Sequence, residues 1–367
     1  MRAIGWDHPR CIEPMLAAAD AWHARTGVTV AWEFRPLAAF NDQPLHELAP
    51  AYDVLVIDHP AVAEAVAHDA LAPLESLLPG ERVRRLAAEA IGPSGPSYRY
   101  AGATWAFAVD AACHVSARQP RQLEALGATA PATWDDVLAL ARRAPGRVAL
   151  PLLPADALCA LLSIAATLGA PVAVDGRITP EAVALLAELA PLLHPDSWRC
   201  APPQLLVRMA GGEPIAYMPL TFGYMGLAGG ELRFGDAPTD ATGRRAPILG
   251  GAGLAVSAAA TDPRLAAAFA AWTCDATAQR SVVLARGGQP AHGAVWSNPG
   301  RDALATAFFH DTGSSMEHAY VRPAHPAWPA FHRDAGADLA AALHAGEPAG
   351  RIARRLQERL DGVRAAA

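Results

Sequence analysis

The chain contains no lysine; every one of its 30 basic side chains is arginine. A Schiff-base lysine is therefore excluded, and so is the phosphate-binding lysine of a Walker-type loop. Cysteine is sparse and scattered, at Cys11, Cys113, Cys159, Cys200 and Cys274. The number is odd and no CxxC occurs, so neither a disulfide framework nor a zinc knuckle is indicated, and a reducing compartment fits slightly better than an oxidising one. No apolar run reaches the roughly 18–20 residues of a membrane span. The opening MRAIGWDHPRC breaks its apolar stretch at Asp7, His8, Pro9 and Arg10, which the core of a secretory signal does not tolerate. Charged residues make up only 18%, with a net charge of −6. That balance argues against a nucleic-acid-binding surface. The pairs Arg142-Arg143, Arg244-Arg245 and Arg354-Arg355 read as solvated faces. HEXXH and GxSxG are absent. Gly250, Gly251 and Gly253 precede a strand rather than opening a helix, so they fail the dinucleotide context.

What is present alternates strand with helix. Arg2 to Trp6 predicts a short strand, followed by a polar loop and an amphipathic helix with Ile12, Met15, Leu16, Ala19 and Trp22 on one face and Gly27 as its stop. VTVAWEF alternates as a strand. DVLVIDHP carries the continuous apolar core of a buried parallel strand and also ends in a polar loop. YAGATWAFAVD predicts a hairpin turning at Ala101-Gly102. Thr133 with Asp136 three positions on predicts a capped helix start. GGEPIAYMPLTFGYMGL reads as a strand leading to an aromatic loop, and RRAPILGGAGLAVSAAA as strand, glycine turn, strand. Asp262 to Arg286 reads as one long helix, and the tail from Ala303 as helical, interrupted by VRPAHPAWPAF. The class is α/β.

In this order the segments YAGATWAFAVD, LEALGATAPATWDDVLALA, GGEPIAYM, APILGGAGLAVS and RGGQPAHGAVW resemble the extracellular solute-binding proteins of ABC transporters, in particular the carbohydrate-binding, maltose-binding-protein-like group. The resemblance implies a two-lobed periplasmic-binding-protein-like fold of type II, with a ligand cleft between lobes that closes by hinge motion. The lobes would be 1–108 plus 243–300, and 109–242 plus 301–367. It implies a small polar solute, sugar- or polyol-like, as ligand, and a transporter permease as partner if the chain is exported. A monomer without cofactor, membrane insertion or nucleic acid is expected. Location is periplasmic or extracellular by resemblance, and cytoplasmic if no export signal is used; a ligand sensor or carrier would then be the role.

Ligands of open parallel sheets sit outside the carboxyl ends of the strands. Trp6 and His8 follow the first strand, and Asp58 and His59 follow the buried one, although either pair could simply cap the next helix. Trp105 and Asp110 flank the first expected crossing. Tyr217, Phe222 and Tyr224 follow the second-lobe strand, and Gly250 and Gly251 would let a ligand approach backbone amides. Arg286 ends the long helix. Flat aromatic faces and planar polar groups are what a polyhydroxylated solute requires. Two enzymatic alternatives use the same region: a metal held by His8, Asp58 and His59, or Cys113 as a cleft nucleophile.

Overall fold

The apolar run at the start forms strand β1, Arg2–Trp6, buried from Ala3 onward. The computed structural model describes residues 1–365. After β1 comes helix Pro9–Thr26, entered through proline in its first turn and closed by Gly27 at φ 75°, whose N–H bonds the His23 carbonyl. The buried face of this helix is Cys11, Pro14, Met15, Ala18, Ala19 and Trp22. Leu16, expected on that face, is 43% exposed. Trp22 packs edge-on against Phe269 at 5.6 Å and close to Trp272 at 5.4 Å.

Strand β2, Ala31–Arg35, lies parallel to β1, with Arg2 opposite Ala31 and Trp6 opposite Arg35. Strand β3, Val54–Ile57, is parallel to β1 on the other side, and all four of its side chains are buried. A strand covered on both faces needs this unbroken apolar run. The short hairpin β4, Arg99–Tyr100, and β5, Ala103–Thr104, turns through Ala101 at φ 49° and Gly102 at φ 83°.

Strand β6, Ala106–Arg118, is followed by helices Trp134–Arg143, Pro154–Thr167, Pro180–Leu189 and Pro202–Ala210. The first of these opens with the expected capping box: Thr133 Oγ1 accepts from the Asp136 amide, and the Asp136 carboxylate accepts from the Thr133 amide. Strands β7, Tyr217–Phe222, and β8, Arg233–Gly235, both run antiparallel to β6. Strand β9, Leu249–Val256, is continuous and pairs antiparallel with β3.

The sequence suggested a turn at the glycines of β9. Gly251 is instead an in-strand position at φ 95°, where a Cβ would lie 2.4 Å from the Asp110 carbonyl. Close approach of two backbones explains that glycine.

The expected single helix from Asp262 to Arg286 is broken. Helix Pro263–Thr273, N-capped by Asp262, stops at Cys274, and Asp275 caps a new turn that runs into a π-helical stretch, Gln279–Val283. The buried Gln279 side chain explains the break. Its amide donates to the Val109 and Thr273 carbonyls, and its oxygen accepts from the Ala291 and His292 amides. A fully satisfied buried amide fixes a non-helical path.

The chain divides into two compact units. Unit 1 is Met1–Ala112, Gly250–Phe309 and Ala324–Pro329; unit 2 is Cys113–Leu249, His310–Pro323 and Ala330–Ala367. Strands β6 and β9 therefore each belong to both. Helices Ala303–Glu317, Trp328–His344 and Ala349–Ala365 complete the chain, the last packing on Pro180–Leu189. Among the described residues, no helix is long and apolar enough to cross a membrane.

Candidate functional site

In unit 1, β1, β2 and β3 are parallel, so their carboxyl ends and the loops beyond them share one edge of the sheet. Trp6 ends β1 and is only 6% exposed. Its ring is stacked by His8 at 5.0 Å and 15°, and flanked by Phe40 at 6.0 Å. Trp6 is thus a support, and His8, half-buried, is the outer layer of the stack. His8 is also the helix cap: its Nδ1 accepts from the Arg10 amide at 3.1 Å. That bond assigns the remaining proton to Nε2. Burial first, then the neighbouring Arg10 charge, hold the His8 pKa below the usual imidazole value, so the ring is a neutral donor at pH 7.

At the end of β3, the Asp58 carboxylate accepts from the His59 amide at 2.8 Å and lies 3.1 Å from His59 Nδ1. The His59 ring is buried and edge-on to Tyr98, whose hydroxyl donates to the Ile57 carbonyl. Both loops therefore cap the helical segments they lead into, and His8 and Asp58 remain the partly exposed members.

Asp110, on β6, is engaged by a residue that no sequence pattern singles out. Arg10 Nε donates to Asp110 Oδ2 at 2.7 Å, and Arg10 Nη2 donates to Oδ1, a bidentate pair with side-chain exposures of 7% and 11%. The Arg10 guanidinium also lies 6.0 Å from the Trp6 ring centre. Trp6, Arg10 and Asp110 border a cavity of about 10 Å³, room for a single water at most. The pair is a strut within unit 1, and no local spacing signals it, because the partners are 100 residues apart.

Trp105 is half-buried, and its indole N–H donates to the Tyr100 carbonyl at 2.9 Å. Gly250 and Gly251 lie in β9, the second packed against the Asp110 backbone. Arg286 is exposed and borders an open surface groove with Glu13, Leu16 and Asp20. Those are exposed positions of helix Pro9–Thr26.

In unit 2, Tyr217 is fully buried on β7, and its hydroxyl donates to the Pro131 carbonyl. That makes it a core residue, with no face for a ligand. Phe222 is partly exposed at the end of β7, its ring 4.5 Å from that of His114. Tyr224 lies two residues on and is 6% exposed.

The two enzymatic alternatives fare poorly. Cys113 is 2% exposed, and burial, with Asp236 adding to it, pushes its thiol far above the usual range, so no thiolate forms near neutral pH. Its neighbour His114 is a buried structural ring: Ser163 Oγ accepts the Ile248 amide and is hydrogen-bonded to His114 Nδ1 at 2.8 Å. Among the described residues, the donor atoms of His8, Asp58 and His59 do not converge as a metal-binding set.

The family model for bacterial extracellular solute-binding proteins matches residues 17–296. A search of curated proteins gives no significant match. Among solved structures, the maltose-bound MalE3 of T. maritima superposes with a TM-score of 0.84 at 17% identity, covering 99% of each chain. The solute-binding protein of Thermotoga lettingae bound to α-D-tagatose gives 0.82 at 16%, covering 99% of this chain and 98% of that one. That of Agrobacterium vitis with D-mannitol gives 0.78 at 16%, covering 98% and 97%. These identities carry the fold: two-lobed and α/β, as expected. Family and fold are those of non-enzymatic binding proteins. The chain belongs to the bacterial extracellular solute-binding protein family.

Proposed function

We propose that this protein binds a sugar or polyol as the substrate-binding component of an ABC-type uptake system, handing the solute to a membrane permease. The observation that carries the reading is the family match across residues 17–296. The chemistry at the strand ends of unit 1 supports it. A neutral imidazole backed by Trp6 offers an N–H donor and a flat face, Asp58 offers a carboxylate acceptor, and Trp105 adds a partly exposed indole. Maltose, tagatose and mannitol, the ligands of the similar structures, all present vicinal hydroxyls that pair with such groups and C–H faces that lie on aromatic rings. In this reading His8, Asp58 and Trp105 contact the solute. Trp6, Arg10 and Asp110 hold the contacting residues in place. The protein acts outside the cytoplasmic membrane, as a monomer.

A thermal-shift and calorimetric screen of maltose, tagatose, mannitol, ribitol, amino acids and betaines tests this. A solute at 100 times its Kd stabilises the native state by about 2.7 kcal/mol, a shift of a few degrees. A sugar or polyol hit that weakens at least tenfold in His8→Ala or Asp58→Ala is expected. A hit confined to amino acids or betaines overturns the ligand class.

A further inference from the structure

Away from the strand ends, unit 1 brings together three side chains that the solute-binding reading does not use. His46 lies on the helical turn Leu45–Leu48, and Glu64 lies on helix Val62–Ala67, which His68 closes as C-cap. One donor atom from each lies within 4.8 Å of the other two. The His46 and His68 rings are 4.2 Å apart between centres, tilted by 31°. His46 Nδ1 is buried and has no hydrogen-bond partner among the described residues. Glu64 forms no ion pair with an arginine among them either. Burial of Leu45, Leu48, Val62, Ala63 and Ala65 fixes the two carriers from beneath, while His68 stays exposed and leaves a path for entry.

A second such cluster, in unit 2, shows what an internally satisfied group looks like. His194, Asp196 and Glu213 also converge. There, however, Asp196 is held by Arg199 at 2.9 Å and Arg208 at 2.6 Å, and Arg208 also pairs with Glu213. His194 Nδ1 is used as a cap for the Asp196 amide. Two guanidinium groups already supply the cation. The His46 cluster has the same kind of donors and, among the described residues, no arginine paired with it.

We propose that His46, Glu64 and His68 form a site for one divalent transition-metal ion, zinc foremost. Two imidazoles and one carboxylate are the donor set of an open zinc site, with water completing the tetrahedron, and imidazole nitrogen selects zinc, nickel or copper over magnesium or calcium. The ion ties the Leu45–Leu48 turn to the helix that comes after β3. It does so independently of whether a sugar binds.

The test uses tag-free, full-length protein stripped with chelator and dialysed against micromolar zinc, with bound metal measured by mass spectrometry and the melting temperature recorded in parallel. About one zinc per chain is expected, with a rise of a few degrees that magnesium does not reproduce. His46→Ala and His68→Ala should each weaken zinc binding at least tenfold, and Glu64→Gln should weaken it while leaving the apo melting temperature unchanged. His194→Ala should bind as the parent does. Cobalt in place of zinc should give the visible absorption of a tetrahedral site. No zinc at micromolar concentration, or zinc retained in both histidine variants, overturns the site, as does loss of binding in His194→Ala alone.

Discussion

Arg10 grips both oxygens of Asp110 from the first turn of the helix after β1, joining that turn to a strand 100 residues further along the chain. An arginine near a helix N-terminus meets the positive end of the helix dipole. The Asp110 carboxylate offsets it, and each charge makes the other tolerable in a nearly dry setting.

Removing one partner should therefore be costly. Arg10→Met or Asp110→Leu strands a buried opposite charge, and each should lower stability by about 3–5 kcal/mol in urea denaturation. The double variant should recover much of that, because apolar replacement of a buried pair is often close to neutral. A double variant as unstable as the sum of the singles would show that the pair contributes nothing of its own.

His114 sets a pH dependence. Burial, with Arg322 adding to it, pulls its pKa down to about 3. In the unfolded chain the ring titrates near 6.5. Between these values the unfolded state binds one more proton than the native state, so stability is full above about 6.5 and falls as the pH drops toward 3. The slope from this residue is up to about 1.4 kcal/mol per pH unit. Urea midpoints at pH 7 and pH 5 should therefore differ less in His114→Gln than in the parent. In NMR spectra the His114 ring should not titrate between pH 8 and 5; a ring that titrates near 6.5 would contradict its buried neutral state.

Thiol reactivity should track burial. Cys11 is pushed up to about 12, and the Cys113 and Cys274 thiols are raised further, in each case mainly by burial. Cys200 is the half-exposed cysteine. A disulfide reagent at pH 8 should modify Cys200 within minutes and reach Cys113 only after denaturation. Fast modification of Cys113 in the native protein would reopen the question of a cysteine enzyme.

Much of the fold was legible where the signal is local. The apolar run Arg2 to Trp6, the buried run at Val54–Ile57, the hairpin at Ala101-Gly102 and the Thr133–Asp136 box all depend on neighbours within a few residues. Features set by distant partners were not legible. Nothing near Gln279 shows that it will satisfy four backbone groups and break a helix, and Gly251 looks like a turn until Asp110 is seen against it. The site divides in the same way. His8 and Asp58 are visible as polar residues closing apolar strands, whereas Arg10 and the meeting of His46 with Glu64 and His68 need the third dimension.

The pairing of Val54 with Val256 also has a cost in time. A ribosome working at about 10 residues per second needs about twenty seconds to travel from one to the other, whereas a helix such as Pro9–Thr26 forms within about a microsecond. For that interval β3, apolar on both faces, waits with one edge unpaired, and unit 1 still lacks its last segment, Ala324–Pro329. Until β9 arrives, that apolar edge has no strand of its own chain to close it, which leaves the half-made chain open to pairing with other chains.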